Sequence, residues 1–232
     1  MQKYRIIDES LRKRIGDTHH FDNESAKSFI KQGKIELMPE IINNKESIRS
    51  KICGFNGDIP CFIPWNSNKD IGKSYNTLMS CIEDWVIFID HDVLLVNPFW
   101  HSICISAIKK VGNDAGWITC YTNRIGCIQQ RISGVNEKSD DIKYHRNFAK
   151  QVYEKNKGKI VDITDSKYVL SGFFILTNKK VWEKSGKFKE EGFFTVDNAY
   201  HRSVVSAGFR LYLMTDLYVY HSYFRDSIEQ KF

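Results

Sequence analysis

The chain has 232 residues, with 34 Lys and Arg against 28 Asp and Glu and a formal charge of +6. Hydrophobic residues at 42% and charged residues at 27% give the balance of a globular chain and exclude a disordered one. No apolar run approaches the roughly 20 residues that span a bilayer, and the opening MQKYRIIDESLRKR holds no signal-peptide core.

A cytoplasmic protein is therefore expected, and peripheral attachment at a membrane surface is compatible with the modest basic charge. No helix-turn-helix, zinc-finger or RNA-binding signature is present, so no nucleic-acid partner is expected. The six cysteines form no CxxC pair and several sit inside apolar patterns, as reduced thiols do.

Residues 1–50 read as an N-terminal extension to which the sequence assigns no role. A short helix is expected over Glu24 to Gln32, with Phe29 and Ile30 inward and Gly33 ending it. The basic residues Lys3, Arg5, Arg12, Lys13 and Arg14 fit a solvated face better than an acceptor-binding surface. His19 and His20 are adjacent and lack acidic neighbours, so they do not read as metal ligands.

Residues 51–232 carry a regular α/β pattern. Cys61-Phe-Ile-Pro-Trp reads as a short strand limited by its proline, and helical spacing then covers Ile71 to Ile82. Trp85-Val-Ile-Phe-Ile89 is a continuous apolar run, the pattern of a strand buried on both faces, and it leads directly into Asp90-His91-Asp92. A helix is expected from Pro98 to Lys110, a strand over Gly116 to Tyr121, a loop from Arg131 to Asp141 and a helix on to Lys155.

Farther along, a strand is expected over Val169 to Leu176, with Asn178 capping the helix begun by Lys179. A last helix covers Asn198 to Ala207 and ends at Gly208, before two short strands at Arg210 to Leu213 and Leu217 to Tyr220. The alternation predicts a mixed central sheet flanked by helices.

Asp90 and Asp92 are the sharpest chemical signal. Two carboxylates one residue apart at a strand's carboxyl end can both reach one ligand, and hard oxygen donors suit Mg²⁺ or Mn²⁺. The crevice beyond strand ends is also where open α/β sheets bind ligands. A lone DxD is weak by itself, because surface aspartate pairs are common.

Here the chain resembles the GT-A glycosyltransferases, especially the family 2 type, over about residues 51–224. Asp70-Ile-Gly-Lys-Ser-Tyr-Asn76 is similar to the segment before that family's DxD strand, and Trp85 to Val93 to the strand and metal motif themselves. Ser171-Gly-Phe-Phe-Ile-Leu resembles the acceptor-side glycine strand, and Val181 to Phe188 its sequel. Phe193-Phe-Thr-Val-Asp197 resembles the region of the acid-base residue, and Val219-Tyr-His221 the closing strand.

The resemblance implies a GT-A-like catalytic domain that moves a sugar from a nucleoside diphosphate to an acceptor hydroxyl, with inversion. It implies Asp90, Asp92 and His221 at a Mn²⁺ or Mg²⁺ site, with His221 completing the shell or touching a phosphate. Asp90 would act through water or the ribose. Gly72, Lys73, Asn76 and Gly172 join Asp90 on the donor side, and Asp197 is the expected base.

A UDP-sugar is favoured by analogy, with a glycan, a lipid-linked sugar or a protein as acceptor. Trp65 or Tyr75 is available for base stacking, although each is more often a core residue. Two departures are visible. Phe62 to Asn66 matches either the family's opening strand or a later one, and Val196 stands where an acidic residue is usual.

Asp197 has an alternative role as an N-cap. Two other functions use the same residues. One is a metal-dependent nucleotidyltransferase or phosphatase, which needs a further carboxylate for a second ion. The other is an inactive domain that binds a glycan or a protein.

Overall fold

The computed structural model describes residues 59–68, 70–191 and 195–222, together with three short strands nearer the start. Contacts divide the chain into Met1–Ile48 and Arg49–Phe232. In the first unit β1 (Lys3–Ile6) is flanked by β2 (Thr18–His20) and β3 (Ile35–Leu37), both antiparallel to it. Strands of three or four residues are too short for alternation to announce them, and the sequence had suggested none here. The helix expected over Glu24 to Gln32 lies outside the described residues.

The second unit is mixed α/β, an open mixed sheet flanked by helices. Its elements are β4 (Cys61–Phe62), α1 (Ile71–Ser80), β5 (Trp85–Ile89), β6 (Val93–Leu94), α2 (Trp100–Val111), β7 (Ala115–Thr122) and α3 (Ile142–Asn156). They continue with β8 (Ile160–Asp162), β9 (Phe174–Asn178), α4 (Lys179–Lys184), α5 (Val196–Ser206) and β10 (Arg210–His221). The order across the sheet is β4-β5-β9-β7-β10-β6, with β8 also on β10.

β4 pairs with β5 in parallel, and so does β7 with β10. β9 lies between β5 and β7 and runs against both. The Cys61–Phe62 strand therefore sits directly beside β5.

All five residues of β5 are buried because helices cover both faces of the sheet. Val86 and Phe88 join a cluster with Met79, Trp117, Tyr200 and Val204. Ile87 and Ile89 join the opposite cluster with Ile103, Cys104, Ile118 and Leu176. Each large side chain contributes about 1.5–3 kcal/mol when removed from water, so burial on two faces selects an unbroken apolar run. The thiols of Cys104, Cys120 and Cys127 are buried, and those of Cys61 and Cys81 are half-buried and unpaired.

The structure departs from the expected elements in two places that matter for function. Residues 210–221 form one strand instead of two. The polar Thr215-Asp216 breaks the apolar pattern, but the Thr215 amide donates to the Lys159 carbonyl and Asp216 accepts from the Gly158 amide. The register against β7 shifts there and the strand continues. The second departure is that β9 starts only at Phe174, whereas the sequence placed a strand from Val169. The amides of Leu170, Ser171 and Gly172 donate to side chains from elsewhere in the fold, so no ladder begins.

Candidate metal centre

Strand directions bring the site together. β4, β5, β7 and β10 share one direction, so the residues following the first three and the end of β10 lie at one edge of the sheet. β9 runs the other way, and the residues preceding it reach the same edge. Asp90 follows β5, and the Val93 amide donates to the Asp90 carbonyl at 3.1 Å to close a tight turn.

β6 then lies antiparallel to the end of β10, with Val93 opposite His221, and the Ser222 amide donates to the Asp92 carbonyl at 2.9 Å. This register makes Asp92 and His221 neighbours across 129 residues of sequence. Asp90, Asp92 and His221 each offer one ligand atom, and the three atoms lie within 4.8 Å of one another.

His221 is fixed from behind. The buried Asn123 side chain accepts from its amide at 2.8 Å and donates to its carbonyl at 3.1 Å. A carbonyl can only accept, so the 2.9 Å contact between Nδ1 and the Arg124 carbonyl places a proton on Nδ1. That leaves Nε2 facing Asp92 Oδ1 at 3.1 Å. A neutral ring then presents the Nε2 lone pair to an ion, and a protonated ring donates to Asp92. An imidazole oriented through its other nitrogen is the usual arrangement of a metal-binding histidine.

The charges follow the same logic. Burial opposes protonation of His221, but the Asp92 hydrogen bond and charge outweigh it and raise its pKa. Burial works against ionisation of Asp92, but the His221 bond and charge prevail and hold its pKa down. Asp90 has no such bond. Burial pushes it up to about 6, with His221 opposing and the charges of Asp92 and Asp197 adding to the rise. Two carboxylates and one imidazole nitrogen are donors that could together hold a divalent ion.

Asp197 approaches from α5. That helix begins at Val196 with Thr195 as its cap residue, so Asp197 lies inside the first turn and is not the cap the sequence allowed. Its Oδ1 accepts from the Asn198 amide at 2.8 Å and its Oδ2 from the Gly172 amide at 3.0 Å. Burial raises its carboxyl above the ordinary range against those bonds.

A Cβ on residue 172 would lie 2.9 Å from the Asp197 Cβ, so only glycine allows this approach. One residue on, the Phe173 carbonyl accepts from the Asp90 amide at 3.1 Å. Backbone groups of two consecutive residues thus join the Asp197 carboxylate to the strand end that carries Asp90.

Gly72, Lys73, Asn76 and Gly172 were expected on the donor side. Lys73 is exposed on α1. Gly72 is buried, and a Cβ there would fall 1.8 Å from the Lys189 carbonyl oxygen, so backbone packing accounts for its missing side chain. Asn76 donates to the Phe188 carbonyl and Glu190 Oε1, and accepts from Trp182 Nε1 and the Phe188 amide. All four of its hydrogen-bonding positions are taken.

These contacts clasp α1 to residues 182–190, reinforced by Tyr75 stacked on Phe188 at 4.4 Å and Phe188 on Tyr200 at 3.9 Å. Tyr75 is core, and its hydroxyl is held well above its ordinary pKa by burial and by the charges of Asp90 and Asp197. Trp65, by contrast, is 76% exposed, in the segment that follows β4.

Asn123 and Gln130 were not anticipated. A polar residue just after an apolar strand was the only trace of Asn123, and Gln130 sits in a stretch without periodicity. No protein-family profile, curated protein or solved structure matches the chain.

Proposed function

We propose that the protein is a GT-A-like glycosyltransferase that moves a sugar from a nucleoside-diphosphate donor to an acceptor hydroxyl, with inversion. One observation carries the reading. A three-ligand group at the end of the central strand shares a backbone segment, Gly172-Phe173, with a separate half-buried carboxylate. The first suits a diphosphate and the second an acceptor proton.

Asp90, Asp92 and His221 would hold the ion. A divalent cation there supplies charge neutralisation on the departing diphosphate. Asp197 accepts the hydroxyl proton as the acceptor oxygen bonds to the anomeric carbon and the bond from that carbon to the diphosphate oxygen breaks. Its raised pKa makes it a stronger base than a solvated aspartate, and the Gly172 and Asn198 amides fix its orientation. Trp65 offers an exposed ring for the nucleobase at the edge where β4 and β5 end.

The test is a panel of sugar nucleotides incubated with Mn²⁺ and a mixture of glycan, lipid-linked and peptide acceptors. Release of a nucleoside diphosphate from at least one donor is expected, abolished by chelation and by Asp92→Asn in a protein whose folding is verified by circular dichroism. Pyrophosphate release from a nucleoside triphosphate instead would make the site a nucleotidyltransferase. Saturable glycan binding without turnover of any donor would make it a binding domain.

A further inference from the structure

Residues 170–173 are not part of a strand, yet each is pinned by a different partner. The Leu170 amide donates to His201 Nδ1 at 3.2 Å, the Gly172 amide to Asp197 Oδ2 at 3.0 Å, and the Phe173 carbonyl accepts from the Asp90 amide at 3.1 Å. Ser171 is held at both ends of its backbone by one side chain. Its amide donates to Gln130 Oε1 at 2.8 Å and its carbonyl accepts from Gln130 Nε2 at 3.0 Å.

Gln130 Nε2 also donates to Thr119 Oγ1 at 2.8 Å, in the middle of β7. The side chain is completely buried and all its polar atoms are used. It lies in a short 3-10 turn, Ile128–Gln130, outside every motif that suggested a function.

We infer that Gln130 is a positioning residue, which locks the Ser171 backbone so that the following amide, that of Gly172, is aimed at Asp197. The bidentate contact fixes the orientation of both peptide groups of Ser171, and the second of these carries the Gly172 N–H. Thr119 anchors the glutamine to the rigid sheet, so the aim of Asp197 is set from β7 as well as from its own helix. A buried polar side chain with both of its polar atoms satisfied is the kind of group that fixes one conformation. The inference rests on the proposed transfer reaction only where turnover is read.

The experiment compares wild type with Gln130→Met, which has a similar shape and no hydrogen bonds to Ser171. Amide hydrogen exchange resolved by residue is the first readout. The Gly172 amide should exchange at least about tenfold faster in Gln130→Met, while core amides such as Ile118 and Leu176 keep wild-type protection. The second readout is kinetic. Acceptor-dependent turnover should fall by roughly tenfold or more, with Mn²⁺ and donor affinity within about threefold of wild type.

If Gln130→Met does not fold, Thr119→Val removes the anchor alone and should loosen the Gly172 amide to a smaller extent. Gly172 exchange at the wild-type rate in the variant that folds would overturn the inference. If wild type turns over no sugar nucleotide, the proposed reaction falls, and the exchange measurement still decides the role of Gln130.

Discussion

Binding of Mn²⁺ should be strongly pH-dependent, and the slope reports which groups hold the ion. An ion needs Asp90 as a carboxylate and His221 with a bare Nε2, so binding releases protons. With Asp90 pushed up to about 6 by burial, roughly ten in eleven molecules carry the carboxylate at pH 7 and about one in eleven at pH 5. That alone weakens binding about tenfold between pH 7 and pH 5, or about 1.4 kcal/mol.

His221 adds a second proton, because Asp92 holds its imidazolium against burial, so the slope should steepen beyond one proton at the acid end. Asp92 is held below its ordinary pKa and contributes little over that range. Isothermal titration calorimetry with Mn²⁺ from pH 5 to pH 8, in two buffers of different ionisation enthalpy, measures both affinity and protons released. Asp90→Asn should weaken binding and remove one proton from the slope.

The metal-free protein supplies an independent check of sign. A carboxyl whose folded pKa is raised, here from 3.8 to about 6, stabilises the fold below the lower value and loses that contribution as pH rises through the higher one. Without metal, Asp90→Asn should therefore be more stable than wild type at pH 7, by about 1–3 kcal/mol. An Mn²⁺ affinity that is flat from pH 5 to pH 7, or unchanged by Asp90→Asn, would refute the assignment of Asp90 as a ligand.

Two further outcomes follow from the geometry. Asp197→Asn should lower acceptor-dependent turnover by roughly 10²- to 10⁴-fold with donor and Mn²⁺ affinity little changed, and near-wild-type steady-state kinetics would remove it from the base role. Gly72→Ala places a methyl against the Lys189 carbonyl, which is backbone and yields little; it should destabilise the fold by about 1–3 kcal/mol in urea denaturation, and an unchanged midpoint would show that α1 and residues 189–190 can separate freely.

How far the sequence discloses this site depends on whether a residue's role is set locally. Trp85 to Ile89 announces itself because two-sided burial requires an unbroken apolar run, and the Asp pair stands out because it ends that run. Asn178 was legible as a cap, since its side chain accepts from the Val181 amide three residues on. For Asp197 the sequence left a cap open beside a base, because an aspartate near a helix start looks the same whether it bonds its own helix, a distant glycine or, as here, both.

Gly72 and Asn76 show the opposite limit. Their positions in a familiar-looking segment suggested ligand contacts; what the fold shows is that Asn76 bonds Trp182 and Phe188 and that Gly72 packs against the Lys189 backbone, in a stretch no local pattern connects to them. Gln130 and Asn123 are still less legible, because each acts through hydrogen bonds to backbone that any residue type at the other end would provide.

The reversed strand explains why the two halves of the site meet. In a purely parallel sheet every strand delivers its carboxyl end to the ligand edge, and the chain entering each strand arrives at the opposite edge. β9 runs against its neighbours β5 and β7, so the segment entering it, Ser171-Gly172-Phe173, reaches the edge where β5 leaves off. The Phe173 carbonyl then takes the Asp90 amide as the first bond beyond the β5–β9 ladder, extending the pairing of Ile89 with Phe174. Asp197 hangs from the residue before. The spacing between the carboxylate suited to a metal and the carboxylate suited to a proton is thus set by sheet hydrogen bonds, with only two residues of backbone in between. A substitution that shifts the β5–β9 register by two residues would keep every buried face apolar and still pull Asp90 and Asp197 apart, which makes that ladder the element on which the proposed chemistry depends.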